Sequence, residues 1–370
     1  MSTIRAIDQV TINNITAGQV VIDLQTAVKE LLENSIDAGA TNIEVRFKQY
    51  GLSGLEVLDN GSGIAPENHK GIALKHHTSK LSSFSDLDSV STFGFRGEAL
   101  SSLCVLCGGA TVTTATASME PKATCLVVDI TGKVIKQSSV ARPRGTTVSL
   151  TKLFSSLAVR RKEFERNIKR EFGKALALLT AYALGPCASG TGIRLTVSNQ
   201  PDKGQKTTPI KTLGEPSFRS SLTALWGNKA EENIVDMDFS FEVERERIKR
   251  SQSQDLGSIP IRVRGLMSKF AIGCGRTGKD RQFLYVNGRP CDLPKVAQAI
   301  NDTYRTFNAN QLPFILADFI LPTDTYDVNV SPDKRSIFLH SEANLIVELK
   351  VCVHRIFAAL TLIYVFSRLL

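Results

Sequence analysis

The chain has 370 residues, of which 42% are hydrophobic and 22% are charged, and its formal net charge is +9. This composition describes an ordinary globular chain with enough apolar material for two cores, so two domains are expected. The amino terminus lacks the charged start and continuous apolar run of a secretory signal, and the most apolar run, Ile356 to Phe366, is too short to span a bilayer. The positive charge favours a polyanionic partner but does not choose among nucleic acid, nucleotide and acidic membrane surface.

The first half of the chain alternates between helical and extended patterns. Apolar spacing predicts a helix from Val20 to Ala38, which Gly39 ends. Two strands follow, in "TNIEVRFKQYG" and "LSGLEVLDN". Helical character returns from Glu67 to His77, and a long loop with few apolar residues runs from Thr78 to Gly97. Strands dominate again from Ala110 to Leu150.

The second half starts with a predicted helix from Lys162 to Leu184 and the strand "IRLTVSN". A polar stretch with three prolines, "QPDKGQKTTPIKTLGEPS", is typical of a linker between domains. A second α+β unit follows from about Leu222 to His340, with a helix from Pro294 to Ala309. The sequence therefore predicts two mixed domains joined by a linker.

The segment "KELLENSIDAGA", Lys29 to Ala40, carries the first candidate site residues. On a helix, Glu30 and Asn34 are four positions apart and therefore share a face. A carboxylate there can deprotonate a water, and a carboxamide oxygen is a ligand suited to a hard cation such as Mg²⁺. The alternative interpretation of this pattern alone is a solvated polar stripe.

Two glycine-bearing segments strengthen the interpretation as a site. In "VLDNGSGI", Asp59 ends a strand, where its carboxylate can accept a hydrogen bond from the exocyclic amine of adenine. Gly61 and Gly63 allow the backbone to approach a ring or a phosphate closely. In "FGFRGEALSS", a loop flanked by glycines runs into a helix start, whose free amides can cradle a phosphate. A tight turn and an ordinary capping loop are the alternatives.

These segments, with "TSK" and "GTTV", resemble the MutL homologues among the GHKL ATPases, which include gyrase B, a heat-shock chaperone and the histidine kinases. Agreement in "KHHTSK", "RPRGTTVSL", "VRRKEF", "DRQFLYVNGRPCD" and "DVNVSPDKR" narrows the resemblance to the eukaryotic PMS type, over residues 5–340. It implies an α+β fold. A GHKL (Bergerat) ATP-binding α/β sandwich is expected at 1–200, a linker at 201–221, a second α+β domain of the ribosomal-S5-like transducer type at 222–340, and a terminal helix with an atypical apolar tail at 341–370.

The resemblance also implies an ATPase that uses ATP and Mg²⁺. Glu30 would be the general base, Asn34 would hold Mg²⁺, and Asp59 would select adenine. Lys334 would contact the γ-phosphate, where a point charge stabilises developing negative charge. The remaining nucleotide contacts would come from Gly61, Gly63 and Thr147 around the base and from Thr78, Ser79, Lys80, Gly94, Phe95, Arg96, Gly97, Glu98, Ala99 and Leu100 in a lid over the phosphates.

The function that the resemblance implies is DNA mismatch repair in the nucleus. ATP binding would order the lid, associate two amino-terminal domains and close a clamp on DNA, and slow hydrolysis would release it. The expected partners are an MLH-type MutL homologue as heterodimer, a MutS-type mismatch-recognition complex and DNA. No membrane association is expected.

A basic segment fits DNA as the polyanion. Between Ala141 and Ala175 there are ten Lys and Arg against three Glu, a net charge of +7. Contacts to phosphates would be salt-dependent and not sequence-specific. A solvated helix face is the alternative, because glutamates interrupt the run. The candidate residues are Arg160, Arg161, Lys162, Arg166, Lys169, Arg170 and Lys174, together with Arg289 in "VNGRP".

The chain departs from the family pattern at two places. The carboxyl-terminal metal-dependent endonuclease of PMS-type chains has no counterpart here, so this chain alone is not expected to nick DNA. The tail "LTLIYVFSRLL" resembles no family segment, and truncation, an alternative transcript and a mispredicted exon remain open. Ala158 stands where the family commonly has proline, which would loosen one loop.

Two further functions compete with the ATPase switch. The first is a truncated scaffold or dominant-negative fragment that binds a partner or DNA without hydrolysing ATP. The second is another enzyme of the same ATP fold. A topoisomerase would need a strand-cleaving tyrosine in a DNA-gate domain, and a histidine kinase would need a phosphoaccepting histidine on a dimerisation helix. The five histidines do not sit in such a setting.

Overall fold

The computed structural model describes residues 6–78, 80, 92–94, 96–246, 257–327, 330 and 335–369, with 359–369 as helix backbone. The chain divides into two compact units. The first comprises Met1–Ala183 and Gly190–Pro216, and the second comprises Leu184–Ser189 and Ser217–Leu370. Each unit has its own sheet.

The first unit is built on an eight-stranded sheet in the order β5-β4-β3-β6-β2-β1-β7-β8. All neighbouring pairs are antiparallel except β1 and β7, which are parallel. The strands are β1 (Asn42–Lys48), β2 (Gly54–Asp59), β3 (Gly109–Ala115), β4 (Lys122–Val128), β5 (Val134–Ala141), β6 (Gly145–Thr151), β7 (Arg194–Gln200) and β8 (Thr207–Lys211).

Helices cover one face of this sheet. In β1, the buried residues Ile43, Val45 and Phe47 alternate with half-buried Glu44 and Arg46, which is the pattern of a strand with one buried face. Apolar side chains of the helices complete the core on that face. The helices are α1 (Gln9–Val20), α2 (Leu24–Asp37), α3 (Ala99–Leu106), α4 (Ala158–Arg166) and α5 (Ile168–Leu184).

In the first unit, the predicted helix boundaries need three corrections. The segment predicted as one helix from Val20 to Ala38 starts later, at α2, because Asp23 caps its first turn by accepting from the amide of Thr26 at 2.8 Å. The segment predicted as helical from Glu67 to His77 is a short 3-10 helix at Pro66–Asn68 followed by turns over residues 69–76. The predicted helix from Lys162 to Leu184 is two helices, since Asn167 ends α4 in a non-helical conformation.

The predicted linker at 201–221 is also wrong in part. Thr207–Lys211 forms β8, which pairs antiparallel with β7 at the edge of the first sheet. Its proline, Pro209, is compatible with an edge strand, which does not need every amide for pairing. The polar composition of this stretch therefore reflects an exposed edge strand, not only a connection.

The second unit is built on a five-stranded sheet in the order β12-β11-β13-β10-β9, with a separate pair, β14 and β15. Helix α7, Pro294–Arg305, ends four residues before the predicted end at Ala309. Among the described residues, no helix combines the length and apolar character needed to cross a membrane. The elements are α6 (Phe218–Trp226), β9 (Ile234–Glu244), β10 (Ser258–Ser268), β11 (Gln282–Val286), β12 (Arg289–Pro290), α7 (Pro294–Arg305), β13 (Ile315–Ile320), β14 (Tyr326–Asp327), β15 (Phe338–Leu339) and α8 (Glu342–Leu369).

Candidate functional site

Helix α2 presents a line of three polar residues on one face. Its apolar face, which includes Leu24, Val28 and Leu32, is buried in the core, so the helix orientation is fixed by packing. Glu30 and Asn34 share the polar face as the spacing predicts. Asp37 extends it by another turn, and its side chain is only 4% exposed. The result is two carboxylates and one carboxamide along the same side of the helix.

The carboxylate of Asp59, at the end of β2, is held by three hydrogen bonds. Its Oδ1 accepts from the amides of Gly61 at 2.9 Å and Thr146 at 3.0 Å, and its Oδ2 accepts from the Ser35 hydroxyl at 3.0 Å. Two donors fill the acceptor capacity of Oδ1, whereas Oδ2 has room for one more. Asp59 is only half-buried, so this remaining position is open to a ligand.

The two glycines after Asp59 are required by close packing. Gly63 has a φ of 73°, and a Cβ there would lie 2.1 Å from the backbone oxygen of Ala115. A Cβ on Gly61 would lie 2.8 Å from both the Cβ and the oxygen of Ala38. Only glycine fits at these positions, so the loop after Asp59 lies directly against β3 and the end of α2.

The threonine beside Asp59 is Thr146, one residue before the predicted Thr147. On β6, Thr147 pairs in register with Leu58, whose side chain points away from the face that carries Val57 and Asp59. Successive strand residues point to opposite faces, so a shift of one residue places a side chain on the wrong side. Thr147 therefore lies on the face of the sheet away from Asp59, and Thr146 lies beside Asp59.

Lys80 and the segment around Gly94 meet Asp37. The Lys80 ammonium lies 2.6 Å from Asp37 Oδ2 and 3.1 Å from Asn34 Oδ1. The amides of Phe93 and Gly94 donate to the same carboxylate at 2.9 and 3.0 Å. Asp37 is thus the residue through which both pieces of the predicted lid reach α2. Sequence reasoning gave it no role, although its position three residues after Asn34 places it on the same face.

The rest of the predicted phosphate loop lies around the start of α3. Gly97 has a φ of 62°, and a Cβ there would come within 2.6 Å of the backbone oxygen of His77. Glu98 precedes the helix and makes no side-chain cap, and its carboxylate lies 3.5 Å from His76. Ala99 and Leu100 form the first helical turn, Arg96 is exposed, and Thr78 Oγ1 accepts from the Lys80 amide at 3.1 Å. The predicted site residues Ser79, Phe95 and Lys334 lie outside the described residues.

Metal-ligating clusters and the cysteine pair add no second site to the described part of the chain. No group of three or more His, Cys, Asp or Glu side chains is placed there to hold a metal ion. Cys104 and Cys107, in the segment "CVLC", are buried free thiols. Burial raises the pKa of Cys104 to about 12.

The basic segment separates into two kinds of residue. The Arg160 guanidinium donates to the backbone oxygens of Gly18 at 2.9 Å and Val21 at 3.0 Å, at the end of α1. Arg161 donates to the oxygens of Leu52 and Leu153, both at 2.9 Å. These two arginines hold the fold together, and their assignment to DNA contact is corrected. The exposed members are Lys162, Arg166, Lys169, Arg170 and Lys174, and Arg289 is half-buried on β12.

Fold and site together define the class of protein. An antiparallel-rich sheet covered by helices on one face, a Glu-Asn-Asp face on α2 and an aspartate followed by glycines at a strand end are the parts of a GHKL-type ATP-binding domain. Residues 22–154 match the family model "Histidine kinase-, DNA gyrase B-, and HSP90-like ATPase". Residues 227–358 match the model "DNA mismatch repair protein, C-terminal domain".

Individual relatives narrow the family. The mismatch repair endonuclease PMS2 of Homo sapiens is 44% identical over 350 residues, which cover 94% of this chain and 40% of that protein. The DNA mismatch repair protein PMS1 of Saccharomyces cerevisiae is 41% identical over 94% of this chain and 40% of its own length. The chain therefore spans about 40% of the length of these curated relatives.

Solved structures agree with this placement. A crystal structure of the N-terminal domain of a DNA repair protein is 38% identical, has a TM-score of 0.82, and the match covers 95% of this chain and 99% of that one. The Aquifex aeolicus MutL ATPase domain complexed with ADP has the same fold at 22% identity, with a TM-score of 0.50 over 80% of this chain and 91% of that one. The chain belongs to the PMS-type MutL homologues, in their N-terminal ATPase and transducer region.

Proposed function

We propose that this chain is a Mg²⁺-dependent ATPase that acts as a switch in DNA mismatch repair. The observation that carries the proposal is the Asp59 carboxylate, held by three donors with one acceptor position left, beside the polar face of α2. The residues proposed as general base, cation ligand and base-selecting carboxylate, Glu30, Asn34 and Asp59, lie on α2 and at the end of β2, which Ser35 links by its hydrogen bond to Asp59. A nucleotide is also the ligand of the similarly folded Aquifex domain.

Asp59 would select adenine. Its Oδ2, which accepts only the Ser35 hydroxyl among the described residues, can accept a second hydrogen bond from the exocyclic amine. Guanine carries a carbonyl oxygen at the corresponding ring position, and two acceptors facing each other repel. The selection follows because the amides of Gly61 and Thr146 fix the carboxylate and prevent it from turning away.

The residues present fit Mg²⁺. Mg²⁺ is commonly held by one or two protein oxygens together with substrate phosphates and water, and the exposed Asn34 supplies one such oxygen. The same oxygen already accepts a hydrogen bond from the Lys80 ammonium at 3.1 Å, so this position receives a positive group. When bound, Mg²⁺ would neutralise charge on the phosphates.

Glu30 would act as the general base. Its carboxylate takes the proton of a water whose oxygen forms a bond to the γ-phosphorus, while the bond from that phosphorus to the bridging oxygen breaks and ADP leaves. Lys80 is placed to stabilise negative charge near Asn34, once its ammonium turns from Asp37 to the phosphates. Lys334 is proposed to contact the γ-phosphate.

The switch would act through order in the lid and through partners. ATP binding would order the lid and associate the amino-terminal domain with that of an MLH-type MutL homologue, which closes a clamp on DNA. DNA would be held by phosphate contacts, downstream of a MutS-type mismatch-recognition complex, in the nucleus. Hydrolysis would reverse these steps.

The test is single-turnover hydrolysis of labelled Mg-ATP by the 370-residue chain and by Glu30→Ala, with nucleotide binding recorded on the same samples. Removing a general base is expected to lower the rate by about 10² to 10⁴ without loss of binding. Glu163→Ala, an exposed glutamate on α4, is the matched control and should hydrolyse ATP like the parent. If the parent binds ATP and does not hydrolyse it, the chain is a scaffold. If it does not bind ATP, the proposal is wrong.

A further inference from the structure

Lys29 is a buried cation beside the proposed catalytic base. The residue is 2% exposed, and its ammonium lies 2.8 Å from Glu33 Oε2 and 3.1 Å from Glu30 Oε1. Burial lowers the pKa of Lys29, but the charges of Glu33 and Glu30 and their hydrogen bonds raise it, and the net pKa lies above the ordinary value. Lys29 is therefore a buried ammonium in contact with two carboxylates.

The Lys29 ammonium is held in position by hydrogen-bonded groups in the core. Glu33 is 0% exposed, and its Oε1 accepts from the hydroxyl of Tyr182 at 2.5 Å. Tyr182 lies on α5 and is 1% exposed, so its ring is locked in the core. The four groups form a hydrogen-bonded chain, Tyr182 to Glu33 to Lys29 to Glu30, which starts in the core and ends at the site.

The last contact of this chain runs against ordinary helix geometry. Residues four apart on a helix face each other, as Lys29 and Glu33 do, whereas adjacent residues such as Lys29 and Glu30 do not. A contact of 3.1 Å between neighbours requires the Glu30 side chain to turn toward the anchored ammonium. Only Oε1 is engaged, and Oε2 has no partner among the described residues. The Glu30 side chain is 12% exposed, which leaves Oε2 for the site.

Stability alone gives a weak account of the arrangement. Charges cost free energy when they are removed from water, and apolar residues of similar volume often replace a buried ion pair without loss of stability. The pair of Lys29 and Glu33 would be complete without Glu30. The additional contact to Glu30 is the feature that a purely structural role leaves unexplained.

We infer that Lys29, anchored by Glu33 and Tyr182, is a positioning residue that holds one oxygen of Glu30 so that the other faces the attacking water. The inference rests on the proposed ATPase function and deepens it, because it names what orients the base. Lys29 itself touches neither substrate nor water in this role. It acts by restricting the Glu30 carboxylate to one orientation, so less conformational entropy is lost when the reactive geometry forms.

The test replaces the anchored network with apolar groups. Lys29→Met alone would remove the positive charge that offsets the buried carboxylate of Glu33. The triple variant Lys29→Met/Glu33→Leu/Tyr182→Phe is therefore used, which removes both charges of this pair together. Its melting temperature and its affinity for a non-hydrolysable ATP analogue are expected to stay close to those of the parent. Single-turnover hydrolysis is expected to fall about 10- to 100-fold. The matched control is Asp302→Leu/Arg305→Met, which removes an exposed ion pair on α7.

Combination with Glu30→Ala separates positioning from a general structural effect. If the network acts only through Glu30, the triple variant adds no further loss of hydrolysis to Glu30→Ala. Losses that multiply, or a triple variant that hydrolyses like the parent, overturn the inference and leave the ATPase proposal intact. A parent that binds no ATP overturns both.

A second variant decides the matter if the triple variant does not fold. Tyr182→Phe keeps the buried ring and removes only the hydroxyl that anchors Glu33. Analogue binding is expected to be unchanged, and hydrolysis to fall less than in the triple variant. Hydrolysis at the parental rate in Tyr182→Phe would contradict the anchored chain from Tyr182 to Glu30.

Discussion

Two charged regions of the first unit differ in how deeply their charged side chains are buried. Around α2 and the end of β2, charged side chains are buried or half-buried and point at one another, as Lys29 with its two glutamates and Lys80 with Asp37 illustrate. Along α4 and α5, most are exposed, and Lys174 and Arg170 are 46% and 65% exposed while they share Glu171. Charges removed from water interact strongly, whereas exposed pairs contribute little. The number of charged residues in a segment therefore does not predict how strongly they interact unless their burial is known.

The basic region itself contains a second contrast. Arg160 and Arg161 stand beside Lys162 in the sequence, yet both arginines bond to backbone oxygens and only Lys162 is exposed. A planar guanidinium carries several N–H donors, so one arginine can donate to two backbone carbonyl oxygens at once. Residues next to each other in a basic run thus divide between holding the fold and facing solvent.

The largest effect is expected in the more buried of the two regions, where Asp59→Asn should lower the affinity for ATP. Two amides hold Oδ1, so the oxygen of the new side chain stays there and its NH₂ replaces Oδ2. The adenine amine then meets a donor instead of a charged acceptor. Loss of a hydrogen bond to a charged group costs about 1.5–3 kcal/mol, so ATP affinity should fall about 10- to 150-fold in an equilibrium titration.

The control for Asp59→Asn lies on the same strand. Glu56→Gln makes the same chemical change on the opposite face of β2, where Glu56 accepts from Ser149 at 3.1 Å. Its ATP affinity should equal that of the parent. If Asp59→Asn also bound ATP with the affinity of the parent, the assignment of Asp59 to adenine recognition would be wrong.

An intermediate effect is expected at Arg160. Arg160→Met leaves the backbone oxygens of Gly18 and Val21 without their donor, so the free energy of unfolding should fall by about 1–3 kcal/mol. Lys162→Met, two residues away on the same helix, should change it by no more than about 0.5 kcal/mol. Urea unfolding of both variants is the measurement. Equal stability of the two would contradict the structural role of Arg160.

Local features of the site were predictable, and those that depend on pairing over long distances were not. Glu30 and Asn34 share a face because helix spacing fixes it, and Asp59 stands at a strand end as the pattern predicts. Thr147 was predicted to lie at the base, but it pairs with Leu58 on the other face, and this register of β6 against β2 cannot be derived from either strand alone. Arg160 was misassigned for the same reason, since the backbone oxygens it contacts lie 139 and 142 residues away in the chain.

The smallest effect is expected in the more exposed region, α4 and α5, where lysine substitutions should change the salt dependence of binding to duplex DNA. Each lysine that neutralises one phosphate contributes about 0.9 to the slope of log affinity against log salt. Lys162→Met/Lys169→Met should therefore flatten that slope by up to about 2 in fluorescence-anisotropy titrations between about 50 and 200 mM salt. Arg160→Met should leave the slope unchanged, because its guanidinium is occupied at the end of α1. A slope that falls in Arg160→Met and stays constant in the lysine variant would reverse the division between the two kinds of residue in the basic segment.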